Sequence, residues 1–384
     1  MASVYLDHAA TTPLDPRVRA AMAPFLEEQF ANPSSRHAPG VRAAQALAES
    51  RRRVARALAV EPRRVVFTSG GTEALNLGLL GIARAARTAG RDALVVGPTE
   101  HACVRGAAAA LEREGFELRR LRLDACGELD LEHAREQLDA RVAVVAQMLV
   151  NNELGTLYDV RSLARLVRQR APHARLLVDA VQAAGKLDCA PRELGADALA
   201  LSAHKLHGPK GAGALVLASE FPLEPLVHGG GQERGLRSGT ENVPACVGLG
   251  VALELAELER EATLARWREL RAFFVQRLAL LPGARVLEAG RERVPSTVSL
   301  VWPGAPAAVR LHQLERCGVF ASAGSACQAA KHELSPTLKA LGLSDDDARS
   351  TLRFSFGRTT TREELEQALA ALEQVGRELA PLVR

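Results

Sequence analysis

Between about residues 40 and 250 the chain alternates two kinds of stretch. Short runs that are apolar at almost every position (65–67, 93–96, 142–150 with Gln147 as the one interruption, 176–178, 198–201 and 214–217) are separated by longer amphipathic segments. Runs apolar on both alternating faces predict strands of a parallel sheet covered by helices on each side. Between them Leu75, Leu79, Ile82 and Ala86 fall on one helical face, and 102–114 and 162–170 have the same character. Past Pro244 the pattern changes. Residues 247–281 read as one long helix, followed by a strand over 297–301, a helix over 307–317, strands at 319–320 and 351–356, and a last helix opening at Thr361 with Glu363 and Glu364. The pattern therefore predicts an α/β fold with a large α/β unit, then a smaller α+β unit, and a long helix bridging them. The first dozen residues carry no readable period.

Composition narrows the class. The 384 residues are 47% apolar and 24% charged, an ordinary globular balance that argues against disorder. No run approaches the ~18 apolar residues of a membrane span, and residues 1–15 lack the layout of a signal peptide, so a soluble, cytoplasmic protein is expected. The net charge of +4 is spread along the chain, which does not suggest direct binding to nucleic acid. The six cysteines (Cys103, Cys126, Cys189, Cys246, Cys317 and Cys327) form no C-x-x-C pair, so neither a zinc site nor a disulfide framework is indicated. Lysine is scarce: of 49 basic residues only Lys186, Lys205, Lys210, Lys331 and Lys339 can form an imine, since arginine cannot.

The apolar runs end in polar clusters. Thr68-Ser69-Gly70-Gly71-Thr72-Glu73, Pro98-Thr99-Glu100-His101, Asn151-Asn152-Glu153, Asp179 with Gln182, and Ser202-Ala203-His204-Lys205 each follow one. In an open parallel sheet, ligands bind outside the carboxyl ends of the strands. The Gly70-Gly71 turn opens a helix, where unpaired N–H groups can cradle a phosphate. It matches neither the P-loop nor the dinucleotide fingerprint. Asp179 ends an apolar strand and needs a cationic or hydrogen-bonding partner, although capping a helix that starts at Ala180 would also satisfy it. Lys205, between His204 and His207, sits where desolvation would make an amine nucleophilic. A lysine, a buried aspartate and a phosphate cradle are the three requirements of pyridoxal 5′-phosphate. Cys327 lies in a run of small residues, Gly324-Ser325-Ala326-Cys327, suited to an accessible thiol.

Together these segments, from Tyr5-Leu6-Asp7-His8-Ala9-Ala10-Thr11-Thr12-Pro13 to about Thr361, resemble the pyridoxal-phosphate-dependent cysteine desulfurases of the NifS/IscS type. The resemblance implies an aspartate-aminotransferase-like fold (fold type I) with a mainly parallel central sheet. A large cofactor-binding domain would span 15–260, and a small domain would join 1–14 to 261–384. It further implies that Lys205 holds the cofactor covalently, Asp179 pairs with its ring nitrogen, and His101 stacks on the ring and moves protons. Gln182 would reach the ring hydroxyl, and Gly71, Thr72, Ser202 and His204 the phosphate, with Thr240 supplied by the other subunit of a homodimer. Asn152 and Arg353 would bind the carboxylate of L-cysteine. Cys327 would take the sulfur as a persulfide, releasing L-alanine, and pass it to an acceptor such as an iron–sulfur scaffold or a tRNA-thiolation enzyme. No resident metal is implied. Gln328, Ala203 and His207 depart from the commoner pattern without removing a catalytic group. An aminotransferase or a selenocysteine lyase on the same scaffold is the nearest rival.

Overall fold

The computed structural model describes residues 3–288, 292–324 and 334–379. Strand β1 (Val4–Tyr5) is followed by β2 (Val65–Thr68), β3 (Ala93–Val96), β4 (Glu117–Arg120), β5 (Val142–Met148), β6 (Arg175–Asp179), β7 (Ala198–Ser202) and β8 (Gly213–Leu217). The last seven form one sheet in the order β2-β8-β7-β6-β5-β3-β4. β4, β3, β5, β6 and β7 are mutually parallel, while β8 runs antiparallel to both β7 and β2. β2 therefore points the same way as β7, and the carboxyl ends of β2, β3, β5, β6 and β7 share one rim. Every apolar run seen in the sequence is a strand of this sheet, because each is buried on both faces.

Alternate residues of each strand feed two separate cores. Val66, Leu94, Val144, Leu177 and Leu215 pack with Leu75, Leu79 and Ile82 of the Gly71–Arg87 helix. Val65, Phe67, Val95, Val145, Leu176, Val178 and Leu199 pack on the other face with Leu249 and Leu253 of the Val243–Leu258 helix. Gly78 permits close approach of the first helix, since a Cβ there would lie 2.8 Å from Leu177 Cδ1.

A second sheet, ordered β12-β13-β10-β9, comprises β9 (Arg285–Val286), β10 (Thr297–Val301), β12 (Ser322–Ala323) and β13 (Thr351–Ser355), all pairs antiparallel. Its core joins Val298, Leu300, Leu352 and Phe354 to Phe274, Trp267 and the Arg362–Leu379 helix, and it includes Val4 and Leu6. β1 pairs in parallel with β11 (Val319–Phe320), so the N-terminal strip belongs to this second core.

The expected long helix is two. The Val243–Leu258 and Arg260–Leu278 helices meet at Glu259, whose backbone leaves helical geometry (φ −95°, ψ 0°) and whose carboxylate pairs with Arg17 and Arg358. The final helix starts at Arg362, one residue on, with Thr361 capping it in a reciprocal box: Glu364 accepts from Thr361 N–H, and Thr361 Oγ1 accepts from Glu364 N–H.

Candidate active site

The rim is closed by pressing the Gly70-Gly71 turn against the sheet. Gly213 pairs with both Thr68 and Ser202, and a Cβ on it would lie 2.5 Å from the Gly70 carbonyl carbon. Gly71 is equally tight, 2.7 Å from Val181 Cγ2 for a notional Cβ. Among the described residues no side chain caps the helix that begins at Gly71, and its leading N–H groups face the rim beside Ser202.

Lys205 follows β7 in a short 3-10 turn, and its Nζ donates to the carbonyls of Ala9 and Ala10, 2.6 Å each. Those carbonyls come from the N-terminal strip, which the rest of the rim also grips. Gln182 Nε2 donates to Ala9 O at 2.9 Å, Thr12 Oγ1 donates to His204 O, and His204 Nδ1 lies 3.1 Å from Thr11 Oγ1. Lys186 Nζ donates to Gln182 Oε1 at 3.3 Å; burial, together with the cations of Lys205 and Arg353, brings its amine down to about 8. Asp179 caps no helix. Its Oδ1 accepts from Val181 N–H in a turn, and burial pushes its carboxyl up to about 6, opposed by that bond and by the charge of Lys205.

His101 is the N-cap of the Ala102–Arg113 helix, with Nδ1 accepting from Cys103 N–H at 3.3 Å. The Cys103 thiol lies 3.0 Å from the same nitrogen and also meets Thr72. Burial pushes that thiol up to about 12, so it stays protonated and donates. Burial, then the charges of Lys205 and Arg105, lower the His101 imidazole from its usual range. A neutral ring whose Nδ1 accepts carries its proton on Nε2. His204 is likewise held down to about 4 by burial and the charges of Lys205 and Lys210.

Arg353, in the middle of β13, is 2% exposed. Nη1 donates to Asn152 O at 2.9 Å and Nη2 to Asp7 Oδ1 at 2.7 Å. The second sheet thus delivers one guanidinium to the rim of the first. Thr240 stands apart from this cluster: it is exposed and lines a cleft with Thr68, Ser69 and Arg237. Cys327 lies outside the described residues. Beyond that segment Ser335 Oγ donates to Glu153 Oε2 at 2.6 Å.

Asp7, Ala9, Ala10, Cys103 and Lys186 are the contributors that the sequence reading did not assign. Lys186 stood out as one of five lysines, and Asp7, Ala9 and Ala10 lay within the Tyr5–Pro13 motif without a role of their own.

Residues 4–368 match the class-V aminotransferase family model. A cysteine desulfurase from Frankia sp. (strain EuIK1) is 41% identical over 380 residues, covering 95% of this chain and 89% of its own. The chain belongs to the class-V aminotransferases, among the cysteine desulfurases. Of solved structures, a NifS-like protein superposes with a TM-score of 0.92 at 33% identity, covering 98% of this chain and all of its own. A protein solved as "SspA in complex with cysteine" gives 0.81 at 31% identity, covering 94% and 100%.

The family is pyridoxal-phosphate-dependent, and the rim fits that group. An uncapped helix N-terminus with glycine at its first position suits the phosphate. A carboxyl buried at the end of β6, raised by desolvation, suits a protonated ring nitrogen. The Lys205 amine within reach suits covalent attachment.

Proposed function

We propose that this chain removes sulfur from L-cysteine, giving L-alanine and a persulfide on Cys327. The observation carrying the reading is the convergence of Lys205, Asp179, His101 and the Gly71 helix start on one rim. Arg353 is delivered there from the second sheet.

In this reading Gly71, Thr72, Ser202 and His204 hold the cofactor phosphate and Asp179 its ring nitrogen. Gln182 takes the ring hydroxyl, and Arg353 with Asn152 binds the substrate carboxylate. The bound cofactor supplies an electron sink for charge left on the substrate Cα. Lys205 would hold the cofactor, and its Nζ, as a free amine, would take the substrate Cα proton. His101, neutral with its proton on Nε2, would donate a hydrogen bond to the substrate from that atom. The Cys327 thiolate attacks the substrate sulfur; an S–S bond forms as C–S breaks, the bonding pair stays with the substrate β-carbon, and its protonation yields alanine.

We divide the chain into 15–260, against 1–14 with 261–384, a division that the packing of Val4 and Leu6 with Phe274 and Phe354 supports, and assign Thr240 to the neighbouring site of a homodimer. An iron–sulfur scaffold or a tRNA-thiolation enzyme in the cytoplasm would accept the sulfur. Among the described residues no helix is long and apolar enough to cross a membrane.

The test is alanine and sulfide release from L-cysteine with a thiol reductant, alongside visible absorbance, for wild type, Lys205→Ala and Cys327→Ala. Cys327→Ala should stay yellow and lose sulfide release, while Lys205→Ala should lose turnover. A fully active Cys327→Ala would replace the persulfide route with a lyase or aminotransferase reaction.

A further inference from the structure

The guanidinium of Arg353 already has an anion. Asp7 Oδ1 sits 2.7 Å from Nη2, and the strip fixes Asp7 in place. Its carbonyl accepts from Ala10 N–H and from Tyr5 Oη, and its backbone bridges to Ser355, two residues from Arg353 on β13. Nε is also buried and finds no acceptor among the described residues. Arg353 therefore offers an incoming carboxylate an unpartnered Nε–H on a guanidinium whose charge already faces a carboxylate.

We propose that Asp7 sets the affinity of this site for α-carboxylates, acting as a built-in competitor for Arg353. The proposal rests on the reading that Arg353 receives the substrate carboxylate. Without substrate, Asp7 compensates a cation that would otherwise be buried alone. With substrate bound, two carboxylates share one guanidinium, and their repulsion in a poorly solvated site weakens binding. L-Cysteine and L-alanine carry the same carboxylate, so Asp7 loosens both. Its use is then release of product, which a fully available buried arginine would retain.

Asp7→Asn keeps the shape and an acceptor oxygen for Nη2 while removing the charge. Calorimetric titration of the cofactor-loaded enzyme with propionate and with L-alanine should show Kd lower by about tenfold or more. The KM for L-cysteine should fall alongside, with kcat reduced as alanine release slows. If Asp7 serves only to position Arg353, Asp7→Asn will bind both ligands no tighter than wild type, and the proposal fails. Asp7→Ser, tested the same way, stands in if the asparagine variant folds poorly. Arg353→Gln separates the two readings. It should lose propionate binding. Wild-type affinity there would overturn the carboxylate role of Arg353 and this proposal with it, whereas loss there with no gain in Asp7→Asn overturns the Asp7 proposal alone.

Discussion

Glu100 is a carboxyl in the wrong place for a charge. It is 1% exposed behind β5, where Oε1 accepts from Met148 N–H and Oε2 finds no partner among the described residues. Burial, and secondarily the nearby Asp179, push it up to about 8 from an ordinary 4.5. In the unfolded chain the group ionises near 4.5, so below that pH both states are protonated and nothing is lost. Between 4.5 and 8 only the unfolded chain releases the proton, and stability falls as pH rises, levelling off above 8. At about 1.36 kcal/mol per pH unit the loss is ~3 kcal/mol at pH 7 and ~5 kcal/mol above pH 8. Glu100→Gln mimics the neutral acid and keeps an oxygen for Met148. Urea unfolding of the cofactor-free protein between pH 5 and 9 should therefore show Glu100→Gln close to wild type at pH 5 and several kcal/mol more stable at pH 8. A variant less stable at pH 8, or a difference that does not grow with pH, would refute the argument that Glu100 is held neutral.

Cys103→Ala removes a donor from His101 Nδ1, which destabilises the neutral ring, so the imidazole should rise by roughly half to one pH unit. The acid limb of the kcat/KM profile would move up with it, and Cys103→Ser should restore the wild-type limb. Gly78→Ala places a Cβ 2.8 Å from Leu177 Cδ1, far from the rim. It should cost ~1–3 kcal/mol in urea unfolding while leaving turnover per folded molecule unchanged.

What was legible in the sequence is what apolar burial writes into it. The strands under helices on both faces read directly, and so did the polar residues that end them, because a polar cluster after an apolar run has few other places to go. β4 was invisible because it is an edge strand. Glu117 and Arg120 are exposed, and the charges pair outward, Arg119 with Glu117 and Asp139. The break at Glu259 was hidden for a different reason: helix-favouring residues run through it, and the ion pairs to Arg17 and Arg358 come from 242 residues before it and 99 after. Glu100 and Cys103 stood in plain view beside His101, yet their roles depend on burial depth and on which nitrogen faces the thiol. No spacing encodes either.

The N-terminal strip is the deepest such case, and it explains how two separately packed units make one site. Val4 and Leu6 are buried in the second core, whereas residues 7–12 run from β13 of the second sheet onto the rim of the first. Asp7 takes Arg353, Ala9 and Ala10 take Lys205, and Ala9 also takes Gln182. Ala9 N–H is held by Ser355 Oγ, and Thr12 Oγ1 donates to His204 O while accepting from His207 N–H. The group that would bind substrate carboxylate and the amine that would take its Cα proton are thus registered against each other by one short segment. That segment does so with carbonyls, a hydroxyl and a carboxylate rather than with an apolar face. Hydrophobic patterning has nothing to detect there, and a small displacement of the strip would move both partners of the reaction at once.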